Sequence, residues 1–192
     1  VFRGDMGVSY NCRLPVFEVV WEYFSFTLVF ASISFILQMS LSIGLALWVI
    51  KRRNKWLNNF VTNASLFVYS IPAFVLGVAL IYIFSVSLNL FPISGLKSLD
   101  YDYLPFFPQV LNKLNHLVLP MLTLTLAGVA LFYKYVKESM DEIFHQTFIL
   151  NLKASGMKEN IILKKHVLPN ALRPLISVAG VELGILLGGA LI

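Results

Sequence analysis

Charged residues are absent from long blocks of this chain, and these blocks dominate its hydrophobic pattern. Residues 23–50 contain 28 consecutive positions without a charge. A helix needs roughly 20 apolar residues to cross a hydrocarbon core of about 30 Å. A second uncharged block covers residues 56–96, and two shorter apolar blocks cover residues 114–133 and 174–192. The pattern predicts an all-α, polytopic membrane protein with about four transmembrane helices.

The second block, with 41 residues, is long enough for one kinked crossing or for two short crossings broken near Ser70-Ile71-Pro72. Lys and Arg discriminate between these alternatives, because cytoplasmic segments of membrane proteins carry an excess of both. With one crossing, 11 of the 15 basic residues share a side: Lys51, Arg52, Arg53, Lys55, Lys134, Lys137, Lys153, Lys158, Lys164, Lys165 and Arg173. The other four are Arg3, Arg13, Lys97 and Lys113. Two crossings would weaken this bias, so we predict one crossing, with Pro72 as a kink rather than a break.

These assignments predict one transmembrane domain over residues 1–192. Its predicted parts are an external segment (1–22), spans at about 23–50, 57–88, 114–133 and 174–192, an external loop (89–113) and a cytoplasmic loop (134–173). The chain begins without Met and ends in the apolar run Gly-Gly-Ala-Leu-Ile. We therefore expect it to be truncated at both ends.

Composition supports the membrane class and argues against catalysis. The 192 residues are 58% hydrophobic and 13% charged, with a mean hydropathy of +0.77, whereas soluble domains are about 25% charged. Membrane topology accounts for the net charge of +5, so no nucleic-acid partner is predicted. Cys12 is the single cysteine, and the sequence has neither a phosphate-binding loop nor metal-ligand spacing within the spans. We predict no catalytic residue, cofactor or metal, so uphill transport would draw on a partner or an ion gradient.

The longest polar interruption, residues 148–174, lies between the last two predicted crossings. Gly156 is predicted to end one helix in a left-handed cap, a short basic helix follows, and Pro169 and Pro174 mark the return to apolar sequence. The helix before Gly156 is predicted to be amphipathic. Its apolar face is Val136, Met140, Ile143, Phe144, Thr147, Phe148, Leu150 and Ala154, and its polar face is Glu138, Asp141, Glu142, His145, Gln146 and Lys153.

Ile149 and Leu152 are apolar residues on the polar face of that helix, close to the glycine turn. They are either ordinary surface residues, residues covered by the next helix, or an apolar tip that docks into a partner. An amphipathic helix seated in a groove is a common docking mode.

The last predicted crossing carries two features. Gly180, Gly184 and Gly188 recur every four residues, a pattern that lets another helix approach closely. Glu182 lies roughly 160° around the helix from the middle of that stripe. A carboxylate in the membrane normally faces the bundle interior or water. Glu182 is therefore either capped by a nearby donor or exposed along a translocation path, for which Pro72 is a second candidate.

Taken together, these segments resemble the permease subunits of binding-protein-dependent ABC transporters, specifically the dipeptide, oligopeptide and nickel branch. Gly156 and Leu168-Pro169 match the general permease signature, although Leu150-Asn151-Leu152 stands where small or basic residues are usual and Lys158 replaces a frequent Ser. The branch-specific matches are Gly4-Asp5 with Gly7 and Ser9, Ser70-Ile71-Pro72-Ala73-Phe74 with Gly77, Phe91-Pro92 with Ser94-Gly95, Leu119-Pro120, Lys134-Tyr135-Val136-Lys137, Lys165-His166 with Asn170-Ala171-Leu172, and Gly180-Val181-Glu182-Leu183-Gly184 with Gly188-Gly189.

The resemblance implies that residues 148–168 form the cytoplasmic coupling element, seated in a cleft of an ATP-binding subunit. The implied coupling residues are Ile149, Leu152, Ala154, Gly156, Met157, Leu168 and Pro169. It also implies ATP hydrolysis on separate subunits, a second permease subunit in a homo- or heterodimer, an extracytoplasmic solute-binding protein, and a multi-pass location in the bacterial inner membrane. The implied cargo is a peptide, nickel or a similar small solute. An ion-coupled secondary transporter and a non-transporting membrane assembly subunit stay open as alternatives.

Overall fold

The computed structural model describes residues 6–9 and 13–189, and within these ranges the regular secondary structure is helical, apart from one isolated bridge between Val8 and Pro15. The α-helices are α1 (Val16–Arg52), α2 (Lys55–Ser70), α3 (Ala73–Ile81), α4 (Phe106–Phe144), α5 (Thr147–Ala154), α6 (Glu159–Ile161) and α7 (Leu168–Gly189). A π-helix (Tyr82–Ser87) continues α3, a second (Ile162–Val167) joins α6 to α7, and Tyr101–Tyr103 form a 3-10 turn. The predicted all-α class is confirmed. Gly4, Asp5, Cys12 and the last three residues of the predicted fourth crossing lie outside the described ranges.

Among the described helices, α1 and α4 are each long and apolar enough to cross a membrane, and α2 with α3 is a third candidate as a bent pair. Helix α4 begins at Phe106, inside the stretch that was predicted to be external loop. Helix α7 begins at Leu168 and passes through Pro174, whereas the sequence predicted a new helix near Pro174. The crossing by α7 stays a prediction.

Helices α1 and α4 pack side by side in the same direction. Phe26 and Leu117 line one small cavity, and Val49 and Phe144 line another near the other ends of the two helices. Between them the Gln38 side-chain amide donates a hydrogen bond of 3.1 Å to the Leu124 carbonyl. Helix α4 also contacts α2, α3 and α7, so it is the central helix of the fold.

The helix over the second apolar block is broken at Pro72, and the prediction of a simple kink is wrong. The axes of α2 and the following α3 segment differ by 98°. Ile71 is extended (φ −84°, ψ 125°) because a following proline disfavours the α conformation. The Ser70 hydroxyl also donates to the Leu66 carbonyl at 2.8 Å, a local bond that bends helices.

The bent pair nevertheless runs along α4 in the opposite direction. The Thr62 hydroxyl lies 3.4 Å from the Tyr133 hydroxyl. Farther along the chain, a Cβ added at Gly77 would lie 3.4 Å from the Thr123 side chain. Advancing through α2 and α3 therefore means moving back toward the start of α4.

The main hydrophobic core lies where α1 and α4 end, at the junction with α5, the second π-helix and α7. Its fully or nearly fully buried residues are Ala46, Val49, Phe132, Tyr133, Val136, Met140, Ile143, Ile149, Ile162, Leu163, Val167, Ala171, Leu175 and Ala179. Phe35 adds an edge-to-face contact with Phe132 at a ring distance of 5.9 Å. The segment between α4 and α7 is therefore folded into the core and does not hang free of it.

Candidate functional site

The candidate site is the segment Thr147–Leu168, called the elbow below, which lies between α4 and α7. The predicted amphipathic helix does not continue into it, because α4 ends at Phe144 and α5 begins at Thr147. At this turn the His145 ring forms a hydrogen bond of 2.7 Å through Nδ1 with the Asp141 carbonyl. Gln146 is extended (ψ 146°) and precedes the first turn of α5.

This two-residue interruption rotates α5 relative to α4, so the predicted faces are wrong for two neighbouring residues. Ile149, predicted on the polar face, is fully buried in the core. Leu150, predicted on the apolar face, has 56% of its surface exposed. Helix α5 contacts the π-helix that follows α6, which favours the interpretation that the next helical segment covers Ile149.

The predicted left-handed glycine cap at the end of α5 is confirmed. Gly156 has a φ of +76°, which a residue with a Cβ adopts at a cost. The Gly156 amide donates to the Lys153 carbonyl at 3.0 Å, and the Met157 amide donates to the Leu152 carbonyl at 3.2 Å. This pair of bonds is the Schellman motif, in which apolar side chains flanking the cap pack together. Leu152 and Met157 are accordingly half-buried against the core.

The seven residues predicted to couple to a partner therefore occupy different environments. Ile149 is buried, and Leu152, Met157 and Leu168 are half-buried against the core, whereas Ala154, Gly156 and Pro169 are exposed. Sequence reasoning missed the outward apolar side chains of the elbow, which are Phe148, Leu150 and Ile161. Recognising the helix end at Phe144 would have identified the first two.

The elbow continues into α7 without a break in the buried surface. Ile162, Leu163 and Val167 are buried on the π-helix, and Ala171, Leu175 and Ala179 continue the buried strip along α7. A π-helix widens the turn locally, and here it lies just before Pro169, which has no amide hydrogen for the regular helical bond. Pro169 and Pro174 consequently lie within one helix, α7, which begins before Pro174 and not near it as the sequence predicted.

An ion pair joins the elbow to the end of α1. The Arg53 guanidinium contacts the Glu159 carboxylate at the start of α6. Arg53 itself ends α1 in a left-handed conformation, with a φ of +49°. The basic cluster after α1 and the elbow therefore lie at the same end of the molecule.

A polar seam that the sequence analysis did not identify lies between α1 and α4. Gln38, Ser34 and Ser42 of α1 are buried, and Thr125 and Gly128 of α4 are buried on the facing helix. The Gln38 side chain occupies the space that a Cβ at Gly128 would take. Small and hydroxyl residues let membrane helices approach closely. The signal was present in the sequence as polar residues at spacings of four within an uncharged span.

Glu182 extends the inward-facing side of α7. It is half-buried, three residues after the buried Ala179, and no hydrogen bond or ion pair to its carboxylate is found in the described part of the chain. The described residues thus supply no donor that caps Glu182, although the structural alternative in the sequence analysis required one.

The predicted glycine stripe lies on the outer side of α7. A Cβ added at Gly180, Gly184 or Gly188 would meet no described atom within 4 Å. The stripe is therefore not used to pack the described helices against one another, and its packing role stays a prediction. Pro72 is exposed at the helix break, and its place on a path also stays a prediction.

Known proteins resemble this chain along nearly its whole length. The oligopeptide transport system permease protein AppB of Bacillus subtilis (strain 168) is 31% identical over 191 residues, covering 99% of this chain and 59% of AppB. The probable D,D-dipeptide transport system permease protein DdpB of Escherichia coli (strain K12) is 31% identical over 206 residues, covering 100% of this chain and 61% of DdpB. The glutathione transport system permease protein GsiC of Salmonella paratyphi A (strain ATCC 9150 / SARB42) is 30% identical over 196 residues, covering 100% of this chain and 58% of GsiC.

This chain therefore spans about three fifths of the length of these relatives. The family model for the inner membrane component of binding-protein-dependent transport systems matches residues 38–192. That match covers α4, the elbow and α7, and it favours a permease over an ion-coupled secondary transporter or an assembly subunit. The chain belongs to the family of binding-protein-dependent transport system inner membrane components.

Proposed function

We propose that this chain forms part of the translocation path of an ABC importer and receives the force of ATP hydrolysis through its elbow. Separate partner subunits hydrolyse the ATP, and an extracytoplasmic binding protein delivers the cargo to a pair of permease subunits. One observation carries the proposal: the elbow shares its buried core with α1, α4 and α7.

A shared core gives the elbow a mechanical role. Protein interiors are close-packed, so a displacement of one packed element is transmitted to its neighbours. Ile149 and Ile162 of the elbow lie in the same core as Met140 of α4 and Leu175 of α7. A push on the elbow would move the ends of α4 and α7 together as rigid bodies.

The direction of the helices supports the predicted topology. Because α1 and α4 are parallel, the segment between them has to return to the starting side, and α2 and α3 run along α4 in the required direction. The Arg53–Glu159 contact supports locating the basic cluster and the elbow on one side. With the positive-inside rule, that side is the cytoplasm.

We propose the outward side chains of the elbow as the docking surface for the ATP-binding subunit. Phe148, Leu150 and Ile161 supply exposed apolar area. Around them, exposed lysines supply positive charge: Lys153, Lys158, Lys164 and Lys165. An apolar centre with a basic rim is complementary to a hydrophobic groove with acidic edges. Ile149 is buried in the core, and its proposed role is to position α5.

The cargo is proposed to be a peptide. The names of the relatives specify oligopeptides, D,D-dipeptides and glutathione, and all three classes are peptides with charged ends. Glu182 on the inner side of α7, without a donor among the described residues, is suited to a cationic group such as a peptide ammonium. The helix break at Pro72 is proposed to border the same path. Ligand screening of the cognate binding protein tests the cargo, and binding of a metal ion without peptide would contradict it.

The docking surface is tested by Leu150→Asp in the complete transporter. A charge on this exposed side chain should leave the permease folded in the membrane, because Leu150 is not part of the core. It should abolish ATP-driven uptake by disrupting the apolar contact with the ATP-binding subunit. The measurement is uptake into proteoliposomes together with co-purification of the ATP-binding subunit.

Asn151→Asp is the matched control, because it adds the same charge at the exposed neighbouring position without removing an apolar side chain. We expect this variant to retain most of the uptake. Full activity of Leu150→Asp would remove the elbow from the proposed interface.

A further inference from the structure

A polar cleft of about 400 Å³ opens between the end of α1, the start of α2 and the last turns of α4. Its basic side chains are Arg53, Lys55 and Lys137, and its acidic side chain is Asp141. Glu159 contacts Arg53 at the edge of the cleft, so three cations against two carboxylates leave one net positive charge, and Lys55 is the cation without a paired carboxylate. Its volume lies within the usual range for small-ligand sites, about 300–1,000 Å³.

Lys137 is the unusual member of the cleft, because only 9% of its surface is exposed. Its Nζ contacts the Asp141 carboxylate one helical turn away. An ammonium group has three donors, and this contact uses one of them. A buried cation needs further polar partners to offset the loss of water, so the site is built to receive additional negative charge.

The start of α2 increases the positive potential of the cleft. Lys55 is the first residue of α2, and the Asn54 side chain caps this helix by accepting from the amides of Trp56 and Leu57. The amino end of a helix carries a partial positive charge. This field adds to that of the basic side chains.

Two tryptophans indicate the depth of the cleft relative to the membrane. Trp48 is 44% exposed and Trp56 is 73% exposed, and tryptophan favours the headgroup level of a bilayer. The Arg52 guanidinium lies 5.9 Å from the centre of the Trp48 ring, and the Trp56 ring stacks on Phe60 at 5.5 Å. Val49 and Lys55, the chain neighbours of these tryptophans, line the cleft, so we expect it to lie at the level of the lipid phosphates.

We propose that this cleft binds the phosphate of one anionic phospholipid headgroup from the inner leaflet. Lys55 and Lys137 contact the phosphate, and Val49, Ile50 and Phe144 form the apolar wall beside the glycerol and the first acyl carbons. Basic pockets between helices on the cytoplasmic side are suited to such headgroups. The assignment to the inner leaflet rests on the topology given under the proposed function, whereas the binding itself does not depend on transport.

The test is native mass spectrometry of the complete transporter, titrated in detergent with phosphatidylglycerol or phosphatidylcholine. We expect phosphatidylglycerol to bind with preference. The Lys55→Gln variant should weaken its binding by about fivefold, because one basic group near an anionic lipid contributes about that factor. Lys137→Gln with Asp141→Asn should weaken binding as well, although it leaves the net charge unchanged, and it avoids leaving a buried carboxylate unpaired.

Arg52→Gln is the matched control. Arg52 belongs to the same basic cluster and is exposed, but it does not line the cleft, so phosphatidylglycerol binding should be unchanged. Equal weakening by Arg52→Gln and Lys55→Gln would mean diffuse attraction to the membrane and would overturn the site. Displacement of the lipid by inorganic phosphate alone would assign the cleft to a free anion. Unchanged phosphatidylglycerol binding in both cleft variants would also refute the proposal. None of these results would affect the docking test with Leu150→Asp, so the two proposals can fail separately.

Discussion

Gln38 and Gly128 fit together where α1 crosses α4, within the membrane-spanning part of both helices. The Gln38 amide nitrogen donates to the Leu124 carbonyl, and its side chain fills the space next to Gly128. Lipid chains provide no hydrophobic force between membrane helices, so close packing and interhelical hydrogen bonds hold them together. The pair therefore fixes the distance and the register of the two longest helices.

Gly128→Ala should destabilise the protein by about 1–3 kcal/mol, the usual cost of overpacking. The added Cβ would overlap the Gln38 side chain, which is buried and held by its hydrogen bond. A lowered thermal unfolding midpoint of the purified full-length permease would reveal the effect. Combining it with Gln38→Ala should restore part of the loss, because that change removes the overlapping atoms.

Gly44→Ala is the control for this prediction. Gly44 is also in a membrane helix, but a Cβ there would meet no described atom within 4 Å. Alanine is favoured over glycine in helices by about 1 kcal/mol, so stability should be unchanged or slightly raised. Equal midpoints for the Gly128→Ala and Gly44→Ala variants would show that the seam tolerates extra volume.

At the scale of elements, the sequence predicted the helices from apolar blocks far longer than a strand or a surface helix. It also predicted the glycine cap after α5, because the conformation that Gly156 adopts is a property of one residue type. It failed at Phe144 and Pro72, where the structure ends a helix that the hydrophobic pattern continues. Pro72 interrupts a helix, whereas Pro169 and Pro174 are accommodated within one, so the presence of a proline does not by itself predict a break.

The predicted faces of Ile149 and Leu150 in the elbow were wrong because the helix end at Phe144 was missed, and this changes the expected roles of the two residues. A periodicity calculated through His145 and Gln146 assigns Ile149 to the surface and Leu150 to the core. The interruption at these two residues exchanges the assignments. The position of the elbow in the chain was predictable, but the identity of its outward residues required the packing of α5 against the π-helix.

Ile149→Ala should therefore loosen the elbow, with a cost of about 2–5 kcal/mol for a truncated core residue. The cost should appear locally, as faster hydrogen exchange of the α5 amides, because elements open in cooperative units. Leu150→Ala is the comparison, since its side chain is mostly exposed, and its exchange should match the parent protein. Faster exchange in the Leu150→Ala variant alone would mean that α5 is rotated relative to this structure.

For the whole molecule, the parallel packing of α1 and α4 is the most informative constraint. Two neighbouring helices that cross in the same direction require an odd number of crossings between them. The interval holds one candidate crossing, α2 followed by α3 with its π-helix, and a 3-10 turn. A pair bent by 98° is, by shape alone, either a broken span or a re-entrant loop. The parallel packing favours the broken span.

Cysteine labelling separates these two topologies. In a Cys12→Ser background, Leu99→Cys, Lys51→Cys and Lys158→Cys provide one exposed thiol each. In spheroplasts, a membrane-impermeant maleimide should label position 99 from outside and positions 51 and 158 only after permeabilisation. A re-entrant loop would return residue 99 to the side of residue 51 and move residue 158 to the opposite side. Because the Arg53–Glu159 contact requires its two partners on one side, opposite labelling of positions 51 and 158 would contradict both the topology and the packing of the elbow.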